Sequence, residues 1–270
     1  MAYAKAANFL LAGNDGRRMA MWIIAANVAV YILWKVPRFI PMMNANFTHH
    51  PLSGKAYTML TCMFSHQSLI HLGFNCMVLA SFAPAVVHHL TLAQTTYPNA
   101  ELEATPQWHF VAFYVAAGLF ASLASHVFTT RITYPRLISK LTAAATSRLK
   151  SGAKGNLLAT ANKSSSSTIL PSLGASGAIY AMFTLTALSQ PDVQIRLIIP
   201  PTPDFPISWG LYGMLIFDTL GILRGWRMMD HVAHLGGAAF GAWYYYYGQR
   251  VWAAFRHKIV RIEFKLRGIS

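Results

Sequence analysis

A serine stands between glycines at the start of an apolar stretch, PSLGASGAIYAMF, which runs from Pro171 to Phe183. The Ser176 hydroxyl is a weak nucleophile unless a neighbouring base takes its proton. If a helix begins here, its first backbone N–H groups lack helical partners and can donate to a developing oxyanion. Gly174 and Gly177 would let another backbone approach closely. Small residues in this pattern are also typical of helix packing in membranes, so the stretch alone leaves both interpretations open.

Histidines supply a candidate base and a further donor. His234 follows a loop that ends at Asp230, and it could take the Ser176 proton and return it to a leaving amine. His71 and Asn75, at i and i+4, share a helix face and could donate to the oxyanion beside the Ser176 amide. Taken singly, His71 could equally be a satisfied histidine inside a helix bundle. No aspartate is obviously placed to orient His234, so the sequence favours a Ser–His dyad over a triad.

Metal and cofactor chemistry receive little support from the sequence. His231 and His234, at i and i+3, could form a metal pair, but the chain has no HExxH motif and few carboxylates. It also lacks a Walker loop and a dinucleotide fingerprint. We therefore expect no metal and no organic cofactor.

The elements that must position these residues are membrane helices. The chain has 270 residues, of which 54% are hydrophobic and only 11% charged, whereas a soluble domain carries about a quarter charged residues. Apolar runs near 20 residues are long enough to cross the hydrocarbon core. The sequence predicts an all-α, polytopic membrane protein with six such segments, at about 19–36, 67–90, 108–129, 172–190, 206–223 and 230–249.

Connectivity brings the candidate residues to one depth. Three of the predicted segments begin at the same membrane face and carry the candidate residues four to nine positions after their first residues. These candidates are Ser176, His234, His71 and Asn75. At about 1.5 Å of rise per residue, all four groups lie very roughly 6–14 Å below that face. Polar groups at such depth are costly unless they have partners or a function. Their convergence favours catalysis over four separate packing roles.

The charge pattern agrees with a membrane partner. The formal net charge of +14 resides mostly in loops and tails, and no nucleic-acid-binding module is present. We expect these bases to face the anionic headgroups of a lipid bilayer. Lys and Arg are divided too evenly between the two sides to fix the orientation. Cys62 and Cys76 predict buried thiols and no disulfide framework.

With these residues in view, the sequence resembles the rhomboid intramembrane serine proteases. That family has a six-helix core with Gly-x-Ser-Gly on the fourth helix, Ala-His-x-x-Gly on the sixth and His-x-x-x-Asn on the second. The motifs stand here at 174–177, 233–237 and 71–75, and the resemblance covers about 20–250. It implies that Ser176 is the nucleophile, that His234 is the base, and that the oxyanion site consists of His71, Asn75 and the Ser176 amide.

Three stretches look closest to the mitochondrial presenilin-associated rhomboid-like branch: MFSHQSLIHLGFN, PSLGASGAI and FDTLGILRGWRMMDHVAHLGGAAFGAWY. This resemblance implies a mitochondrial inner-membrane enzyme that cleaves transmembrane segments of other proteins. The Trp-Arg pair that many bacterial rhomboids carry in the first loop is absent. We expect a tail at 1–18, a protease domain at 19–250 with a flexible loop at about 130–170, and a basic tail at 251–270, part of which could form an amphipathic helix on the membrane surface.

Asp218 is a carboxylate that the motifs do not explain, at the depth of the proposed site. One hypothesis is that it holds the loop before the sixth segment through Arg224, Arg227 or His231. The other is a purely structural hydrogen-bonded carboxylate. The glycines after His234, Gly237 among them, predict close helix packing.

Two alternative functions stay open at this stage. An inactive rhomboid-like scaffold that binds membrane clients would be expected to lack the nucleophile or the base, and both are present. A transporter with broken helices would be expected to show internal symmetry, and none is visible.

Overall fold

The computed structural model describes residues 15–96, 105–150, 169–198 and 200–266, and most of them are helical. The longer helices are α1 (Asp15–Trp34), α4 (Leu69–Thr96), α5 (Gln107–Phe128), α6 (Tyr134–Lys150), α7 (Ser176–Ser189), α8 (Ile207–Arg224), α9 (His231–Trp243) and α10 (Gln249–Leu266). Two short helices, α2 (Ile40–Asn46) and α3 (Thr58–Thr61), lie in the first loop. One two-stranded antiparallel hairpin joins β1 (Gln194–Ile195) to β2 (Phe205–Pro206). The all-α prediction is confirmed.

Six of these helices, α1, α4, α5, α7, α8 and α9, occupy the six apolar segments predicted from the sequence. Three helical stretches in the described part of the chain are long and apolar enough to span a membrane: Asp15–Trp34, Leu69–Leu92 and Gln107–Ser147. The fourth segment forms a shorter apolar helix, α7, of 14 residues. The count of six crossings stays a prediction.

Helix α7 lies at the centre of the bundle. Its Ala181, Met182 and Leu185 are fully buried, as expected for a helix that is apolar on every face. Helix α9 packs directly on it, because glycines remove side chains from the contact. A Cβ built on Gly237 would lie 2.0 Å from the carbonyl oxygen of Gly177. The two helices therefore meet backbone to backbone, and this contact lets α7 and α9 approach closely at Gly177 and Gly237.

The third loop differs from its expected flexible form. Helix α5 continues through a π-helical turn at Thr129–Thr133 into α6, so the chain stays helical through Lys150. The expectation of a flexible loop is wrong for this first part, because the helix is amphipathic and extends the apolar helix before it. The remainder of that expected loop, 151–168, lies outside the described residues. Helix α10 agrees with the amphipathic helix expected near the C-terminus.

Candidate active site

The proposed nucleophile and base are brought together by the contact between α7 and α9. Ser176 is the first residue of α7, and His234 lies in the first turn of α9. The distance from Ser176 Oγ to His234 Nε2 is 2.8 Å, which is a good hydrogen bond. The ring of Tyr180 stacks on the imidazole of His234, with centroids 4.3 Å apart and planes 14° apart. This stacking, together with burial, restricts the rotation of the base.

Asp218 contacts the base from the opposite side. Its Oδ1 lies 3.0 Å from His234 Nδ1 and 2.6 Å from His231 Nδ1, and the residue is fully buried in α8. A carboxylate accepts hydrogen bonds, so in the neutral state each imidazole donates through Nδ1–H. This assigns His234 the tautomer whose Nε2 accepts the Ser176 proton. The sequence showed no aspartate obviously placed to orient His234, but Asp218 occupies such a position here, on the ring nitrogen opposite the one that faces Ser176.

The sequence offered Arg224, Arg227 and His231 as partners for Asp218. In the structure, His231 forms a hydrogen bond with this carboxylate. Sequence reasoning identified the depth of Asp218, but it could not determine which way the side chain faces around the helix axis. The signal that could have revealed the triad was a lone carboxylate at the depth of the serine and histidine. Gly221 makes room for the arrangement, because a Cβ there would lie 2.5 Å from the His231 ring.

Two of the predicted oxyanion residues lie in the same cavity as the nucleophile. The imidazole of His71 lies against Gly174, where a Cβ would be 2.6 Å from His71 Cε1. Gly174 has φ +119°, a conformation that strongly favours glycine. The side-chain amide of Asn75 donates instead to the backbone oxygen of His71, at 2.7 Å. His71 is therefore in contact with the loop before Ser176, whereas Asn75 is turned toward its own helix.

A cavity of about 1530 Å³ lies over these groups. Ser176, His234, His71 and Asn75 all line it, together with residues of the loop before α9. Helix α6 forms another wall through Arg136 and Lys140, which the sequence analysis missed because it expected a flexible loop there.

Among the residues described, one group has ligand atoms close enough together to hold a metal ion. The ligand atoms of His231, His234 and Asp218 all lie within 4.8 Å of one another. Their mutual hydrogen bonds account for this proximity without an ion. Both histidines use Nδ1 as a proton donor to the carboxylate, and a metal would have to displace those protons.

The first loop supports the site through His49, a residue that the sequence analysis did not single out. Its backbone pairs with that of Ser172 through two hydrogen bonds of 2.9 Å. The Thr58 hydroxyl donates to the carbonyl oxygen of Lys55, at 2.6 Å, and therefore accepts from His49 Nδ1–H, at 2.8 Å. His49 Nε2 is then the acceptor for His126 Nδ1, at 3.0 Å. His49 is thus fixed as a neutral, buried imidazole next to the loop that leads to Ser176.

This environment predicts acid sensitivity of the folded protein. Burial lowers the pKa of His49 from 6.5 to about 4, with further lowering by His126 and His50 and an opposing effect of Asp230. At pH values between about 4 and 6.5, His49 binds a proton in the unfolded chain but not in the folded protein. The stability that neutral His49 contributes is therefore complete above pH 6.5 and is lost as the pH falls toward 4.

We expect the melting temperature of the wild type to fall more steeply between pH 6.5 and pH 4.5 than that of His49→Gln, which carries no titrating group there. Thermal unfolding in detergent at several pH values measures both slopes. Parallel slopes for the two proteins would contradict this role of His49.

A rhomboid domain model matches residues 53–250, which include Ser176, His234, Asp218, His71 and Asn75. The chain belongs to the rhomboid family. Within it, the chain is similar to the human presenilin-associated rhomboid-like protein, mitochondrial, at 32% identity over 255 residues, covering 94% of this chain and 54% of the human protein.

Further relatives are also mitochondrial. The presenilin-associated rhomboid-like protein A of Danio rerio is 29% identical over 258 residues, covering 95% of this chain and 55% of that protein. Rhomboid protein 1 of Saccharomyces cerevisiae is 25% identical over 232 residues, covering 83% of this chain and 51% of the yeast protein. The chain thus spans about half the length of the curated relatives that it matches. Together with the apolar helices, these relatives support a multi-pass protein of a mitochondrial membrane.

Proposed function

We propose that this chain is an intramembrane serine endopeptidase of the mitochondrial inner membrane that cleaves transmembrane segments of other membrane proteins. The observation that carries the proposal is the 2.8 Å hydrogen bond from Ser176 to His234 Nε2, with Asp218 bound to the other ring nitrogen. Membership of the rhomboid family and the mitochondrial relatives support the same function.

In this mechanism, Ser176 Oγ attacks the carbonyl carbon of the scissile bond while His234 Nε2 accepts the hydroxyl proton. Asp218 keeps His234 in the accepting tautomer and stabilises the imidazolium that forms. His234 then gives the proton to the leaving amine, which departs and leaves an acyl ester on Ser176. Water that enters through the cavity is deprotonated by His234 and hydrolyses this ester, which regenerates the serine.

The negative charge on the tetrahedral intermediate needs donors. The backbone N–H of Ser176 is available because Ser176 opens a helix and has no residue four positions earlier within it. His71 is the second candidate, since its ring lies against Gly174. One N–H of the Asn75 side-chain amide donates to the His71 carbonyl oxygen, and the same nitrogen has a second N–H, so we assign Asn75 a role as a further donor to the oxyanion.

A substrate must expose a peptide carbonyl to Ser176, and carbonyls inside an intact helix are hydrogen-bonded. The cleaved segment must therefore unwind locally, which Gly or Pro near the cleavage site would make easier. The large cavity gives such an unwound segment a place to extend.

The test is covalent labelling of the purified protein in detergent with a fluorophosphonate probe, which reacts with activated serines. We expect wild type to be labelled and Ser176→Ala and His234→Ala to lose labelling entirely. Ser189→Ala, at the opposite end of α7, is the matched control and should label like wild type.

Absence of labelling in folded wild type, with an active rhomboid labelled in parallel, would contradict the proposal. The inactive scaffold that binds membrane clients would then be the better function. Labelling that persists in Ser176→Ala would show that another serine is the reactive one.

A further inference from the structure

The carboxylate of Asp230 connects three separate parts of the structure. Its Oδ1 accepts from the backbone N–H of Ala233 at 3.0 Å, so Asp230 caps α9. Its Oδ2 accepts from the hydroxyl of Ser172 at 2.7 Å and from that of Ser125 at 2.6 Å. The two hydroxyl contacts have the short distances typical of O–H groups that donate to a carboxylate. One side chain thus links the start of α9, the segment before α7 and the end of α5.

The positions of these contacts relate directly to the site. Ser172 stands four residues before Ser176, and Asp230 stands four residues before His234. The Ser172–Asp230 hydrogen bond therefore joins the two chain segments that carry the nucleophile and the base, at a point outside the reacting atoms. Neither residue belongs to the three short motifs at 71–75, 174–177 and 233–237, although both lie within the longer stretches that resemble the mitochondrial branch.

The segment before Ser176 is held on its other sides by the first loop. Ser172 pairs with the backbone of His49, and the Gly174 N–H donates to the Cys62 carbonyl oxygen at 2.9 Å. These bonds fix the segment against the first loop but do not fix its distance from α9. The Ser172 hydroxyl supplies that second constraint.

We propose that Asp230 is a positioning residue that, through Ser172, sets the distance between Ser176 Oγ and His234 Nε2. The inference rests on the proposed function. Asp230 does not touch the reacting atoms, and it acts by holding two segments at one spacing. Misplacement of a catalytic group by about 1 Å can cost roughly 10²-fold in rate, so a single hydrogen bond at this position can have a large effect on catalysis.

The chain offers a matched pair of variants, because two serine hydroxyls donate to the same oxygen. Ser172→Ala removes the link to the nucleophile segment. Ser125→Ala removes a hydrogen bond of similar length that ties Asp230 to α5, which carries none of the reacting groups. A merely structural role of the Asp230 carboxylate would make the two variants equivalent.

We expect Ser172→Ala to lower the fluorophosphonate labelling rate and kcat by about 10- to 100-fold, with little change in KM. We expect Ser125→Ala to lower the melting temperature by a similar amount but to keep the labelling rate within about threefold of wild type. Ser172→Thr retains the hydroxyl and should recover most of the rate.

Two results would overturn the positioning role while leaving the proposed function intact. One is a labelling rate of Ser172→Ala equal to that of wild type, and the other is a loss of rate in Ser125→Ala as large as that in Ser172→Ala. If wild type itself is not labelled, the proposed function fails and hydrogen exchange of the 169–175 amides decides the positioning role. Faster exchange in Ser172→Ala than in Ser125→Ala supports it, and equal exchange rejects it.

Discussion

Asp218→Asn is expected to lower the rate of peptide-bond cleavage by roughly 10²- to 10⁴-fold while the protein stays folded, by analogy with the loss of the aspartate in a Ser-His-Asp triad. Asparagine has the same shape as aspartate but no charge, so it cannot stabilise the His234 imidazolium. It can also present its NH₂ group to Nδ1, which would favour the tautomer that cannot accept the Ser176 proton. The measurement is kcat on a transmembrane substrate, with thermal unfolding recorded on the same samples.

Asp204→Asn is the matched control, because it makes the same substitution in an exposed ion pair with Arg196 on the hairpin. Exposed ion pairs contribute little to stability, so activity and melting temperature should both remain at the wild-type level. If Asp218→Asn loses stability but keeps its rate per folded molecule, the carboxylate is structural. If neither property changes, both hypotheses about Asp218 fail.

Gly237→Ala should abolish labelling of Ser176 and destabilise the fold by about 1–3 kcal/mol or more. The added methyl group would lie 2.0 Å from the carbonyl oxygen of Gly177 and 2.8 Å from its carbonyl carbon. Both atoms belong to the backbone of a buried helix and cannot rotate away. Helices α7 and α9 must therefore separate, which increases the distance between Ser176 and His234.

Gly213→Ala in α8 is the control for this substitution. A Cβ at Gly213 has nothing within 4 Å, so the methyl group meets open space. Alanine is a better helix former than glycine by up to about 1 kcal/mol. We expect wild-type labelling and an unchanged or higher melting temperature. Wild-type labelling and stability in Gly237→Ala would refute the idea that the backbone contact holds the site together.

Most of the bundle was predictable because apolar length and helix rise are one-dimensional properties of a sequence. The six helices fall where the apolar segments predict them, and the contact between Ser176 and His234 agrees with the common depth that counting residues from the loops predicts. The face on which a residue lies also depends on how each helix is rotated about its axis. Spacing therefore located Asp218 in depth but could not show that it bonds His234.

The same limit explains two further differences. Asn75 shares a helix face with His71, as predicted, yet its amide donates to the His71 carbonyl oxygen, an alternative that i,i+4 spacing does not exclude. Ser172 and Asp230 lie in loops, where no periodicity marks a contact between residues 58 positions apart. Contacts of this kind follow from packing, and the sequence offered no pattern that would reveal them.

The shortness of α7 has a consequence for where the proposed cleavage would occur. With 14 residues, the helix rises about 21 Å, whereas the hydrocarbon core of a bilayer is about 30 Å thick. If the C-terminal end of α7 lies at one membrane interface, the helix holds the proposed nucleophile Ser176 at a constant distance from that interface. The distance of Ser176 from the other interface, and with it the depth of the proposed cleavage, would then vary with the thickness of the surrounding membrane.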